Sequence, residues 1–176
     1  MPKQRVVRHA VTQPLDKPYR FIPLTQRQNA IVDIGDFEWL NQWNWCAVWD
    51  SDCKSFRAFR KGGVRAMHRF IMECSSKEEQ VDHKNHDTLD NRRENLRKCS
   101  KDQNAKNRRA RKIIKGVHFH KRLGKWEARI RVGKKNHYLG LFLSQKDAAI
   151  AYDKAATKYF GEFACLNYAI PGILAS

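Results

Sequence analysis

The sequence holds no apolar run of about 18 residues or more, so it offers no membrane-spanning helix. Its basic start, MPKQRVVRHAV, passes into Thr12, Gln13, Pro14 and Asp16 rather than into a signal-peptide core, and a soluble, intracellular, cytoplasmic protein is expected. The five cysteines (Cys46, Cys53, Cys74, Cys99 and Cys165) are odd in number and lack the two-residue spacing of a zinc ribbon, which argues against a disulfide framework and for reduced thiols. No internal repeat and no dimer-forming heptad is visible, so a monomer is expected. With 176 residues there is room for one medium domain or two small ones, not for a large barrel or doubly wound sheet. Acids are scarce: 18 Asp and Glu stand against 35 Lys and Arg, for a net charge of +17. A chain that is 41% hydrophobic and 11% aromatic is nevertheless not a disordered basic tail.

The charge is concentrated. Asn91 to Lys135 contains 18 Lys and Arg and three acids (Glu94, Asp102 and Glu127), which places +15 of the +17 in a quarter of the chain. Such a field attracts a polyanion, with counterion release from nucleic acid as the driving force; the plainer reading is a solvated face that keeps the protein soluble.

Residues 1–20, basic and interrupted by Pro14 and Pro18, read as a mobile arm. From Phe21 to Arg60 short apolar runs (RFIPL, AIVDIG, FEWLNQWNWCAVW, SFRAF) lean towards β-structure, with a helical turn after Asp36. Trp39, Trp43, Trp45 and Trp49 are taken as core rather than as a base-stacking platform. VRAMHRFIM follows as a strand or short helix. The next segment, VDHKNHDTLDNRRENLRKCSKDQNAKNRRARK, is so poor in apolar residues that something other than burial must hold it. From Lys115 three strand-like pieces (KGVHFH, KWEARIRV, HYLGLF) precede a helix from Gln145 to Phe160, with Ser144 and Asp147 as a capping box and Gly161 as its stop. Ala148, Ala151, Tyr152, Ala155 and Tyr159 form its apolar stripe, small enough to lie close on a three-stranded antiparallel sheet.

Within the polar segment, Asp82-His83, Asn95 and Asn104 are brought together if VDH and NLRKC form a hairpin and a helix begins near Ser100. An Asp oxygen and an Asn carbonyl are hard donors suited to Mg2+ or Mn2+ rather than zinc, and they leave most of an octahedron to water and phosphate. His83, with an ordinary pKa near 6.5, can take a proton from a water attacking phosphorus. Taken singly, an Asp-His pair also suits a surface turn, and asparagines suit turns and caps.

The stretch MHRFIM and VDHKNHDTLDNRRENLRKCSKDQNAKNR resembles the His-Asn-His (HNH) nuclease motif of phage and bacterial homing endonucleases, whose core is a ββα-metal (His-Me) finger. Residues 21–109 resemble such a nuclease domain with its preceding β-rich segment, the finger covering about 79–109. The resemblance implies Asp82 and Asn104 as ligands of one divalent metal, His83 as general base, and Asn95 as the residue that holds the loop and orients His83. The last motif position, often His, is Asn104 here, which favours a single hard cation. His68 reads as structural beside the finger, and His86 is left without a role.

In KWEARIRV, Trp126, Ala128, Ile130 and Val132 alternate with Lys125, Glu127, Arg129 and Arg131, so one face packs on the helix and the other is charged. The same parity buries Val117, Phe119, Leu139 and Leu141 and exposes His118, His120, Asn136 and Tyr138. The charged face suits a major groove, or simply solvent. KGVHFH, GKWEARIRV, YLGLF, AAIAYDKAA and FGEFACLNY are similar to the APETALA/ethylene-response-factor (AP2/ERF) DNA-binding domain over residues 115–168. That resemblance implies DNA contacts from Lys115, His118, His120, Lys125, Arg129, Arg131 and Tyr138. The basic linker at residues 110–114, with Arg108, Arg109, Arg111 and Lys112 in and before it, is read as tracking the DNA backbone or minor groove, and residues 169–176 as a tail.

The expected protein is α+β: a ββα-metal nuclease domain, then a small three-stranded sheet packed on one helix. Its expected function is metal-dependent cleavage of double-stranded DNA by a homing-type endonuclease. A non-enzymatic DNA-binding regulator is the alternative, and an RNA-binding accessory protein is disfavoured for want of paired exposed aromatics.

Overall fold

The computed structural model describes residues 8–51, 53–60, 65–76, 78–108 and 114–168. The fold is a mixture of small antiparallel sheets and a few helices in two compact units, residues 1–101 and 102–176.

The first unit begins with a hairpin, β1 (Tyr19–Pro23) on β2 (Asn29–Asp33), turned through Gln26 and Arg27 at positive φ. The helix expected after Asp36 starts earlier, as α1 (Ile34–Asn41) with Asp33 at its N-cap. The hairpin β3 (Trp45–Asp50) and β4 (Ser55–Arg60) and the short helix α2 (Met67–Ile71) follow. Ile22, Leu24, Val32, Leu40, Trp45, Met67 and Ile71 make the core. Trp45 is fully enclosed and donates its indole N–H to the Leu40 carbonyl at 2.8 Å. Trp39 and Trp43 pack partly buried against that core, but Trp49 departs from expectation: it is 54% exposed, edge-on to Phe56 near the hairpin turn. Residues 8–18 run with this body. Gln13 exchanges two hydrogen bonds with the Phe21 backbone, and Arg20 donates to the Pro14 carbonyl.

The remaining strands of this unit, β5 (Gln80–His83) and β6 (Leu96–Cys99), form an antiparallel hairpin whose loop ends in a 3-10 turn at Arg93–Asn95. The helix α3 (Lys101–Asn107) follows them in the chain and, from Asp102, belongs to the second unit.

That unit is a meander of β7 (Val117–His120), β8 (Lys125–Val132) and β9 (Lys135–Phe142) beneath α4 (Gln145–Phe160). Ser144 accepts from the Asp147 amide as the N-cap, and Gly161 ends the helix. Its enclosed face is Ala148, Ala149, Tyr152, Asp153 and Ala156; Ala151 and Ala155 lie only half-buried, and Tyr159 lies outward against His137. The expected stripe is thus rotated towards Asp153, because that carboxylate is enclosed as an acceptor for the Asn167 and Tyr168 amides and the Asn167 side chain. Gly116, at φ +73°, lets the Tyr152 ring lie against the backbone, where a Cβ would come within 2.0 Å of a ring carbon. All five cysteines are free thiols, and no helix among the described residues is long and apolar enough to cross a membrane.

Candidate functional site

Strand alternation sends Asp82 and His83 to opposite faces of the β5–β6 hairpin. Asp82 lies opposite Arg97, and the two form a buried ion pair in which Arg97 Nη2 and Nε both donate to Asp82 Oδ2, at 2.7 and 3.0 Å. On the other face the buried His83 ring stands edge-on to the ring of His68, 5.0 Å away on α2. Burial pushes the His83 imidazole down to about 4; a hydrogen bond with Asn91 works against this, the Arg57 charge adds to it, and the charges of Asp82 and Asp87 oppose it. His68 is likewise held well below the ordinary value, by burial first and then by the charges of His83, Arg57 and Arg69. A neutral imidazole is therefore held here across the physiological range, the state a proton acceptor needs.

The loop between the strands has almost no apolar side chains, and polar bonds hold it. Asn95 spans it with its amide group, accepting from the Asn85 backbone N–H at 3.0 Å and donating to the Asp90 carbonyl at 2.8 Å. Asp90 is enclosed and takes a two-pronged pair of bonds from Arg92, at 2.9 and 2.8 Å, with a third from the Asn85 side chain. Burial raises this carboxyl, but the Arg92 and Asn85 bonds outweigh it and the pKa ends below the usual value. The first hairpin joins in: the Ile31 N–H donates to the Leu89 carbonyl and its C=O accepts from the Asn91 N–H, both at 2.8 Å. Asp33 accepts from the Arg93 backbone, and Asp36 takes both arms of the Arg93 side chain. Thr88 closes the rim by donating to the Phe56 carbonyl.

Sequence reasoning did not identify Asn91, Asp90, Arg92, Arg97 or Arg57 as part of this site. Arg97 carried a signal, since the VDH and NLRKC strands in hairpin register set it across from Asp82. Asn91 carried none, because nothing in an asparagine-rich loop marks which amide turns inward. Asn104 is half-buried on α3. Among the described residues no group of three or more His, Cys, Asp and Glu is arranged to hold a metal. The donors the motif assigns, one carboxylate and one amide oxygen, suit a hard divalent ion that keeps most of its water and phosphate ligands.

In the second unit the exposed side of the sheet carries His118, Lys125, Arg129, Arg131 and Tyr138, with Arg129 opposite Tyr138 and Arg131 opposite Asn136. His120 is half-buried, and Glu127, expected on this face, is enclosed beside Arg129, to which it is ion-paired. Phe119, expected in the core, is 50% exposed and leans on Trp126 at the sheet's end, beyond the Val117 and Ala128 row that packs under α4. Lys115 is half-buried and directs its ammonium to the Lys106 and Arg108 carbonyls, at 2.7 Å each. Arg108 is exposed at the end of α3, while Arg109, Arg111 and Lys112 lie outside the described residues.

Residues 66–106 match the family model of the HNH endonuclease. The chain is also similar to plant regulators. It is 50% identical over 60 residues to the AP2-like ethylene-responsive transcription factor ANT of Arabidopsis thaliana, covering 33% of this chain and 11% of that protein. It is 47% identical over 57 residues to APETALA2-like protein 2 of Oryza sativa subsp. indica, covering 31% and 13%. A longer alignment, 30% identical over 173 residues, relates it to the AP2-like ethylene-responsive transcription factor AIL7 of Arabidopsis thaliana, covering 82% of this chain and 33% of that protein. The chain thus spans between about a tenth and a third of these relatives' length. It combines an HNH endonuclease domain at residues 66–106 with a segment similar to the AP2-like transcription factors.

Proposed function

We propose that this chain is a DNA endonuclease of the homing type, in which a ββα-metal finger cuts and the AP2-like unit holds the duplex. The observation that carries the reading is His83: an enclosed, neutral imidazole, fixed by Asn91 and His68, one residue from a carboxylate, inside the HNH match. His83 accepts the proton of the attacking water. Asn95 keeps the loop closed, so the imidazole holds one orientation. Arg97, through two bonds to one carboxylate oxygen, holds Asp82 in one rotamer as a ligand. Asn104 is the second ligand that the motif resemblance assigns, and Mg2+ or Mn2+ on these oxygens would supply charge stabilisation to the phosphate and the departing sugar oxygen. The products are 5′-phosphate and 3′-hydroxyl ends, from a nick or a double-strand cut. His118, His120, Lys125, Arg129, Arg131 and Tyr138, with the basic run at Arg108, Arg109, Arg111 and Lys112, contact the duplex. The protein acts as a monomer on intracellular DNA, at the nucleoid of a bacterial or phage-infected cell.

A second reading, a DNA-binding regulator without catalysis, is favoured by two observations: Asp82 is already ion-paired with Arg97, and the plant relatives are transcription factors. Supercoiled plasmid incubated with Mg2+, with Mn2+ or with chelator separates the two. The endonuclease produces nicked or linear DNA only with metal, and His83→Ala abolishes cleavage while duplex affinity stays within about twofold. An inert wild type, or a His83→Ala variant that cuts at the wild-type rate, overturns the assignment.

A further inference from the structure

We propose that Lys115 is a positioning residue: its ammonium clasps the carboxyl end of α3 into the AP2-like unit, so that the body that grips the duplex also sets where Asn104 sits. The inference rests on the nuclease reading only for the role of Asn104. The clasp itself stands on geometry within the second unit.

A helix leaves its last carbonyls without partners, and α3 has only seven residues, too few to persist in water by itself. Lys115 Nζ donates to two of these terminal acceptors, the carbonyls of Lys106 and Arg108, and a cation at this end also complements the helix dipole. The lysine is in turn immobilised. Its backbone N–H donates to Asn167 Oδ1 at 2.6 Å and its C=O accepts from Asn167 Nδ2 at 3.0 Å, while Asn167 is held by Asp153, a fully enclosed residue of α4. A second tie fixes the same turn: the Lys106 ammonium lies over the Phe160 ring at 5.1 Å, and Asn107 is buried. Burial lowers the Lys115 pKa, as expected for a cation drawn from solvent into a bonded position rather than left outside for a phosphate. The line Asp153–Asn167–Lys115–α3 thus ties the α4 interior to the helix that carries Asn104.

The test compares wild type with Lys115→Met, which keeps the stem and loses the donor, and with Lys115→Arg, which restores donors. Amide hydrogen exchange along α3 reads the clasp without any need for cleavage: Lys115→Met should exchange at least about tenfold faster over residues 104–108, and Lys115→Arg should recover most of the protection. Circular dichroism and exchange in α4 report whether the unit still folds; should Lys115→Met unfold it, Lys115→Gln takes its place and the same α3 comparison decides. Affinity for a fluorescent random-sequence duplex in chelator should move less than about twofold, while single-turnover plasmid cleavage at saturating protein should fall about tenfold. Unchanged α3 exchange overturns the clasp. Loss of affinity with a salt slope reduced by about one makes Lys115 a phosphate contact and also overturns it. Wild type that protects α3 but never cuts removes the nuclease reading and leaves the clasp supported by exchange alone.

Discussion

In the N-terminal unit the buried polar residues, among them Asp36, Asp82, Asp90, Asn91, Asn95 and Arg97, bond to one another or to backbone, in places across more than fifty residues of chain, as Arg93 does to Asp36. In the C-terminal unit few such groups are enclosed, chiefly Asp153 and Glu127, and an alanine face on a three-stranded sheet forms the core. The first unit must hold a loop with little apolar content, Leu89 alone packing on the core, beside a buried imidazole, and directional bonds can do this where nonspecific burial cannot. The second leaves one face of its sheet exposed, and close packing of α4 supports that sheet from behind. The contrast can be broken from either side.

The largest effect is expected at Gly116. Adding a methyl group at φ +73° sets a Cβ at 2.0 Å from the Tyr152 ring and 2.7 Å from the Arg129 carbonyl, one backbone and the other enclosed. Gly116→Ala should destabilise the C-terminal unit by about 4 kcal/mol, enough to unfold a domain of this size. Hydrogen exchange would show protection lost across β7 to α4 with duplex affinity, while the Trp45 core keeps its protection.

Next comes Asp90→Ala in the other unit, which leaves Arg92 and the Asn85 side chain without their shared acceptor. Asp90 is enclosed while Arg92 is half-buried and keeps Glu94, so the loss should cost about 2 kcal/mol by urea titration. The second unit's exchange pattern should not change. A loss under about 1 kcal/mol would mean that the loop is held by its backbone bonds to Ile31 and not by this carboxylate.

These two sites also differ in how they could be read from sequence. The C-terminal unit was largely legible: β8 and α4 have their expected ends, because period-2 and period-3.6 patterns with a Ser144 cap leave little choice. Its misreadings are Phe119 and Glu127, where strand parity alone did not decide burial, and the rotated α4 face, where a buried acid, Asp153, interrupts the apolar pattern. In the N-terminal unit the hairpin and the candidate pair Asp82-His83 were legible, but not the partners that fix them. His68 was expected beside the finger, though not with its ring against His83, whereas Arg57 reaches the site from β4, and no local periodicity encodes a contact of that range. The polar loop did signal that burial could not hold it, and the motif resemblance named Asn95 for that task, but neither pointed to Asn85 or Asp90.

A smaller effect separates the units by pH. His68 is neutral when folded and its folded pKa is depressed, so as pH falls below about 6.5 the unfolded chain binds a proton that the folded chain refuses. Stability of the first unit therefore drops with falling pH, by up to about 1.4 kcal/mol per pH unit for each such histidine. His83, pushed down to about 4, adds a second proton over the same window. Chemical denaturation between pH 7 and pH 5 should give a steeper slope for wild type than for His68→Gln. Parallel slopes would mean that His68 does not titrate differently in the two states.

The smallest stability change, and the sharpest contrast with Gly116, is expected at Tyr138. Its ring is 60% exposed on β9 opposite Arg129, so Tyr138→Ala removes little buried surface and should alter unfolding by less than about 0.5 kcal/mol. If the outer face of the sheet meets the duplex, the same substitution removes an aromatic contact next to a base-reading arginine, and affinity should fall about five- to tenfold at constant salt. Gly116→Ala loses binding by unfolding the platform, whereas Tyr138→Ala loses it with the platform intact. An affinity that stays at the wild-type value, with exchange protection equally unmoved, would take this face out of the interface and shift the search to the basic run that follows α3.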